Sequence, residues 1–231
     1  MKSSKTITAG ILGSSGRMGQ ETKVVCENAG YKILYELSSK NFDAFLKKKE
    51  APAPDVWIDF SKPQVLDQFL DYLAKNPAPL VSGTTGLTPE QLAKLKKLAK
   101  KTSVFWAPNM SVGVALVARM LEVYEGYSDF DFQIEETHHR HKKDRPSGTA
   151  IFLQDKLADV LGKRNLPAPL SIRAGGVYGI HKVQAYSDEE MISVEHFALN
   201  RRVFAKGALW AATEIYKYKS GYFEMKDLLK K

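Results

Sequence analysis

From Thr6 to Trp106, short apolar runs alternate with amphipathic helical patterns, and this alternation restricts the fold more than any other feature of the chain. Thr6–Leu12, Tyr31–Leu37, Val56–Phe60, Pro79–Ser82 and Ser103–Trp106 read as strands. Arg17–Ala29 reads as a helix with Met18, Val25 and Ala29 turned inward and Gly30 as its stop. A second helix starts after Ser61 with Pro63 in its first turn. Thr88-Pro89-Glu90-Gln91 is a capping box that opens a third helix over Pro89–Lys101, whereas Lys47–Pro54 reads as a loop. Strands separated by helices of this length need crossover connections, which implies βαβ units and a parallel sheet.

Beyond Asn109 the pattern changes. A helix over Val112–Tyr127 leads into a half-exposed strand, Asp131–His138, where Phe132 and Ile134 alternate with Asp131, Gln133 and Glu135. Thr149–Leu161 is helical and stops at Gly162. Ser171–Ala174, Val177–Tyr186 and Met191–Leu199 read as strands of a mixed or antiparallel sheet, and Ala205–Tyr218 as a closing helix. The expected fold class is α/β: a Rossmann-like nucleotide domain to about residue 109, then a smaller α+β domain. Trp57, Trp106 and Trp210 fall within apolar stretches and read as core.

With 231 residues the chain can bury a stable core as one large domain or two modest ones. Its net charge of +8 suits either nucleic acid or small anionic ligands. The lysines of Lys94–Lys101 alternate with Leu92, Leu95 and Leu98, which makes them the solvated face of a helix. No groove-reading or base-stacking motif accompanies the charge, so nucleic acid is not the expected partner. No apolar run approaches the roughly 18 residues of a membrane span. The lone Cys26 excludes an intrachain disulfide, and the start Met1–Lys5 leads straight into a strand pattern; both fit a cytoplasmic protein.

Two motifs carry chemistry. Gly13, Gly16 and Gly19 follow the first strand and open its helix, where they suit a tight turn, close approach of a pyrophosphate, and close helix packing. Ser38, Ser39 and Lys40 follow the second strand, and hydroxyls with an ammonium favour the 2′-phosphate of NADPH over the bare diol of NADH. Gly83-Thr84-Thr85-Gly86 and Ala107-Pro108-Asn109-Met110-Ser111 end later strands at the edge where such folds bind ligands.

The second motif is Glu135–Ala150, which holds three of the five histidines, four lysines and arginines and a Ser-Gly-Thr step. A metal site is one reading, but His138, His139 and His141 are too closely spaced to converge easily, and no metal is expected. A solvated basic loop is another. The third is proton transfer with anion binding. Histidine as a residue type titrates near neutrality, which suits His138 to proton delivery, Lys142 adds fixed charge, and Ser147-Gly148-Thr149 opens a helix whose positive end suits a carboxylate. His181 and His196 read as structural strand residues with no neighbouring partner.

The segment Glu136-Thr137-His138-His139-Arg140-His141-Lys142-Lys143-Asp144-Arg145-Pro146-Ser147-Gly148-Thr149-Ala150 resembles the signature of the dihydrodipicolinate (4-hydroxy-tetrahydrodipicolinate) reductase family. Gly13–Gly19, Asp59-Phe60-Ser61, Gly83–Gly86 and Asn109-Met110-Ser111-Val112-Gly113 match in order, so the resemblance runs essentially the whole chain. It implies hydride transfer from NADPH or NADH to a cyclic dicarboxylate, giving tetrahydrodipicolinate for diaminopimelate and lysine synthesis. His138 is then the expected proton donor or its relay, assisted by Lys142, with His139, Arg140, Ser147, Gly148 and Thr149 around the substrate carboxylates. The implied cofactor set is Gly13, Gly16, Arg17, Met18, Gly19, Ser38, Ser39, Lys40, Gly83, Thr84, Thr85, Ala107, Asn109 and Met110.

The family also implies a homotetramer built on the second domain's sheet, and a chain that returns to the nucleotide domain through Ala205–Lys231. The expected domains are therefore 1–109 with 206–231, and 110–205. Two departures stand out. Ser38 and Ser39 replace an acidic residue and arginine often found there, and the stretch from Leu161 to Ile172 is short for the family. The competing enzyme reading is a related oxidoreductase such as an aspartate-dehydrogenase-like enzyme. The non-enzyme reading is an inactive NAD(P)-sensing protein.

Overall fold

The computed structural model describes residues 6–48, 51–127 and 129–229. Met1–Lys5, two positions of the Lys47–Pro54 loop and the last two residues of the terminal return lie outside them. The chain folds as two compact units, one running to Met110 and resuming at Arg202, the other spanning Ser111–Arg201.

In chain order, the first unit contains β1 (Thr8–Leu12), α1 (Arg17–Asn28), β2 (Lys32–Leu37), α2 (Phe42–Leu46), β3 (Val56–Asp59), α3 (Pro63–Lys75), β4 (Leu80–Ser82), α4 (Pro89–Leu98) and β5 (Ser103–Trp106). The second contains α5 (Val112–Met120), β6 (Asp131–His138), α6 (Gly148–Val160), β7 (Leu170–Arg173), β8 (Gly179–Tyr186) and β9 (Met191–Ala198). The chain then adds α7 (Arg202–Ile215), β10 (Gly221–Phe223) and α8 (Met225–Leu228) to the first unit.

Six parallel strands in the order β10-β5-β4-β3-β1-β2 form the first sheet. Because all run the same way, the carboxyl ends of β1, β3 and β4 deliver Gly13, Phe60 and Gly83 to one edge. Trp57 on β3 anchors the core. It is 1% exposed and its ring lies 5.5 Å from Tyr35, 5.6 Å from Phe45 and 4.8 Å from Phe69, centroid to centroid. Truncating a ring so enclosed costs about 3–5 kcal/mol, since the transfer energy is lost and a cavity remains.

The capping box forms as written in the sequence: Thr88 Oγ1 accepts from the Gln91 amide at 3.3 Å, and Gln91 Oε1 accepts from the Thr88 amide at 3.0 Å. Other expectations need correction. Ala29 is the exposed C-cap of α1, Met18 is half-buried, and Thr22, Val25 and Cys26 line the inner face. Trp106 and Trp210 are half-buried, not core. The helix expected over Val112–Tyr127 ends at Met120, where a 3-10 turn over Leu121–Tyr124 takes over before Gly126 at φ +84°. Residues 42–46, for which the sequence pattern gives no element, form α2 because Phe42 and Phe45 are buried together against the core.

The second sheet runs β7-β6-β8-β9, with β6 antiparallel to β8, β8 antiparallel to β9, and β6 parallel to β7. One face carries Phe132, Ile134, Val183 and Ala185 against α5 and α6. The opposite face exposes Leu170, Ile172 and Phe197. The rung Glu136, His181, His196 crosses three strands, so residues far apart in the chain share one line across the sheet.

Candidate active site

The glycine turn is built for close approach. Gly13 has φ +83°, a left-handed conformation that side chains resist, and a Cβ on it would stand 2.7 Å from the Phe60 carbonyl oxygen. A Cβ on Gly19 would stand 2.2 Å from the Gly13 carbonyl oxygen, so only glycine lets α1 pack on the turn. The N-cap, Gly16, brings no side-chain acceptor to the helix amides, and the first turn holds no acid. Those amides and the positive end of the helix fit a phosphate. Arg17 is exposed beside them.

At the end of β2, Ser39 and Lys40 are exposed and Ser38 is half-buried. The Ser38 amide donates to Asn41 Oδ1 at 2.8 Å, and Asn41 Nδ2 donates to the Glu36 carbonyl at 2.9 Å, which shapes this corner. Glu36 itself pairs with Lys23 at 2.6 Å. Its carboxylate is thereby already compensated by a cation on α1.

The loop after β4 hangs from a buried carboxylate. Asp59, fully buried, accepts from the Ser61 amide at 2.8 Å, Ser82 Oγ at 2.6 Å and Thr84 Oγ1 at 2.7 Å. Burial raises its pKa, opposed by these hydrogen bonds. The Thr84 hydroxyl is thus committed to the fold, and Trp106 Nε1 takes the Thr84 carbonyl at 3.0 Å. Thr85 and Gly86 are exposed, whereas Gly83 is half-buried and its amide donates to the Asp59 carbonyl at 2.8 Å. Ala107 and Met110 are buried side chains, while Asn109 is half-buried.

In the second unit the histidine segment folds around an ion pair. Glu136, 0% exposed, accepts from Arg173 Nη2 at 2.7 Å on one oxygen and Nη1 at 2.8 Å on the other. The same carboxylate takes His138 Nδ1 at 2.5 Å and the Ser147 amide at 3.1 Å. Burial would raise the Glu136 pKa, but the bonds from Arg173 and His138 outweigh it and hold the carboxyl at about 2. The pair therefore stabilises the fold above the ordinary carboxylate range and loses that contribution as pH falls toward 2. Removing one partner of such a buried pair typically costs about 3–5 kcal/mol.

His138 is itself buried, and its pKa is lowered: burial dominates, the Glu136 carboxylate opposes it, and Lys142 and Arg173 add to it. Lys142, half-buried, lies 2.9 Å from Asp144. His139 is half-buried with Nδ1 unpartnered, while Arg140 and His141 are exposed. Ser147 is buried: its Oγ accepts from the Ala150 amide at 3.2 Å, capping α6, and stands 3.3 Å from His181 Nε2. The Ser147 amide donates to Glu136 as well. Gly148 is exposed and Thr149 half-buried at the same helix start.

The sequence reading of His181 as a partnerless strand residue is corrected by this geometry. Its ring meets that of His138 edge-on at 5.1 Å, and burial first, then His138 and His196, press its pKa down to about 3. His196 likewise has a neighbour, Ser111 Oγ at 3.2 Å. Sequence reasoning passed over Arg173 altogether and assigned no role to Glu136.

Residues 7–110 match the family described as dihydrodipicolinate reductase, N-terminus, and residues 113–229 match its C-terminus. The chain belongs to the dihydrodipicolinate reductase family. A 4-hydroxy-tetrahydrodipicolinate reductase of Bdellovibrio bacteriovorus is 47% identical over 227 residues, covering 97% of both chains. One from Rickettsia canadensis is 35% identical over 242 residues, covering 97% of this chain and 99% of its own. Among solved structures, a dipicolinate-bound dihydrodipicolinate reductase from Paenisporosarcina sp. TG-14 superposes with a TM-score of 0.77 at 23% identity, covering 95% of this chain and 97% of that one. That last likeness establishes the fold. The family relation brings the glycine turn and the histidine segment, described separately above, into one reductase chain.

Proposed function

We propose that this protein is a 4-hydroxy-tetrahydrodipicolinate reductase acting in diaminopimelate and lysine synthesis. The observation that carries the reading is the folded histidine segment, in which His138 is backed by an ionised carboxylate beside Lys142 and a helix start, within a chain related to such reductases end to end. A bound nicotinamide supplies hydride. Converting a 4-hydroxy substrate to tetrahydrodipicolinate also requires a proton and releases the hydroxyl as water.

Among this chain's own residues, His138 supplies the proton and Lys142 stabilises negative charge developing near it. His139, Arg140, Gly148 and Thr149 hold the carboxylates, with the buried Nδ1 of His139 available to a ligand and the α6 amides at a positive helix end. Ser147 serves this set from inside, as the cap that shapes the helix start.

Gly13, Gly16, Arg17, Met18 and Gly19 form the phosphate turn, and the Gly83–Thr85 loop with Asn109 forms the nicotinamide side. Thr84, Ala107 and Met110 contribute through backbone and packing, since their side chains are enclosed. The unit that includes β1–β5 and α7 is thus the dinucleotide domain, and Ser111–Arg201 the substrate and tetramer domain.

NADPH is the favoured cofactor, because exposed Ser39 and Lys40 suit a 2′-phosphate and Glu36 is neutralised by Lys23. Oxidation of NADPH with the product of dihydrodipicolinate synthase tests the function directly. Turnover is expected with a higher kcat/KM for NADPH than for NADH; absence of turnover rejects the reductase reading, and an equal or better value with NADH rejects the preference.

The open sheet face with Leu170, Ile172 and Phe197 is the surface on which a homotetramer would assemble. Light scattering is expected to give about four times the 25.8 kDa chain mass, and a monomer mass would reject this. No described helix is long and apolar enough to cross a membrane. A cytoplasmic site of action accords with the single buried cysteine.

A further inference from the structure

We propose that Arg173, which lies outside the histidine segment, is the positioning residue of this site, setting through one guanidinium both the tautomer of His138 and the place of Lys142. The inference rests on the reductase reading only for its kinetic readout. Arg173 ends β7, in register with His138 on β6, and its side chain is 3% exposed. Two of its nitrogens grip both oxygens of Glu136. The third nitrogen and one of these two reach the loop that follows β6: Nε donates to the Lys142 carbonyl at 3.3 Å, and Nη2 to the Asp144 carbonyl at 2.5 Å. Asp144 in turn holds the Lys142 ammonium. One planar donor fork thus fixes the carboxylate behind the imidazole and the backbone under the lysine.

The consequence for His138 follows from donor counting. A carboxylate held ionised by Arg173 can only accept, so Nδ1 carries hydrogen and Nε2 is the position that takes up and gives away the proton. Nε2 packs close to Gly179, where a Cβ would stand 3.0 Å from it, so the absence of a side chain there keeps this nitrogen uncrowded on that side. The charged and titratable groups facing the ring are Glu136 from its own strand, Arg173 from β7, His181 from β8, and Lys142 with its partner Asp144 from the loop. Nothing in the His138–Lys142 spacing requires an arginine on another strand; the pairing of β6 with β7 puts it there.

Glu136→Gln separates this role from simple packing. Arg173 Nη2 and the Ser147 amide donate to one carboxylate oxygen, so the new side chain turns its carbonyl there and its amide to the other position, toward His138 Nδ1, giving up the bond from Arg173 Nη1. Nδ1 must then accept, and the imidazole switches to the Nε2–H form. In nitrogen-detected NMR of the full-length protein, His138 is expected as Nδ1–H in the wild type and Nε2–H in E136Q. In kinetics, kcat falls on the order of 10²-fold, as expected for a misplaced reacting group, and the alkaline fall of kcat/KM moves to lower pH because the carboxylate that favoured the imidazolium is gone.

Arg173→Lys keeps the charge but loses the fork. It is expected to lower kcat more than it changes the KM for NADPH. An unchanged tautomer in E136Q, or wild-type kcat in R173K, overturns the proposal. If R173K does not fold, E136Q, which preserves side-chain shape, decides alone. The NMR readout needs no substrate, so a tautomer switch supports the clamp even where the wild type fails to reduce the dicarboxylate, an outcome that rejects only the reductase reading.

Discussion

Replacing His138 by Gln is expected to lower kcat by about 10²–10⁴-fold, the usual contribution of a positioned general acid, while the Kd for NADPH stays unchanged. Gln keeps a hydrogen-bonding side chain of similar size, so the loss isolates the proton. Steady-state turnover together with cofactor titration by fluorescence makes the check, and a wild-type kcat would remove His138 from the chemistry.

The pH profile carries the same signature. Burial lowers the pKa of His138 in the free protein, so an acid of this kind makes kcat/KM fall as pH rises from below 6.5. A bound dicarboxylate adds negative charge beside the ring and favours the imidazolium, so kcat is expected to hold to higher pH than kcat/KM.

Lys142→Ala is the second large effect expected. Its ammonium is partly withdrawn from water, at 23% side-chain exposure, and is oriented by Asp144 at 2.9 Å. Fixed charge in such a position stabilises developing negative charge far better than a solvated lysine. Removing it is expected to lower kcat by about 10²–10³-fold and to raise the KM for the dicarboxylate, with the KM for NADPH unchanged. Unchanged kinetics for both substrates would reduce Lys142 to surface charge.

The parts of the fold legible in the sequence are those whose signal is local. The Thr88–Gln91 capping box, Gly13 at its positive φ and the alternation on β6 each arise from contacts within a few residues. What was missed or misread falls where distant packing overrides local pattern. α2 exists because Phe42 and Phe45 find Trp57 and Phe69, and Ala29 faces water because the inner face of α1 is set by Thr22, Val25 and Cys26. In the site, the segment Glu136–Ala150 was readable as chemistry, but not the division of labour within it. Ser147, read as a ligand group, also has a part in the fold, its amide on Glu136 and its hydroxyl in the cap of α6.

The sequence by itself determined that strands and helices alternate, that a glycine turn opens the first helix, and that imidazoles and an ammonium crowd one segment. These follow from side-chain periodicity, backbone freedom and charge, which neighbours in the chain express directly. Only the tertiary structure decided which carboxylate backs His138, that Arg173 holds it, and that His181 and His196 lie on the Glu136 rung. The reason is strand register: pairing β6 with β7 and β8 brings together charges that are distant along the chain, and their burial makes each hydrogen bond between them obligatory.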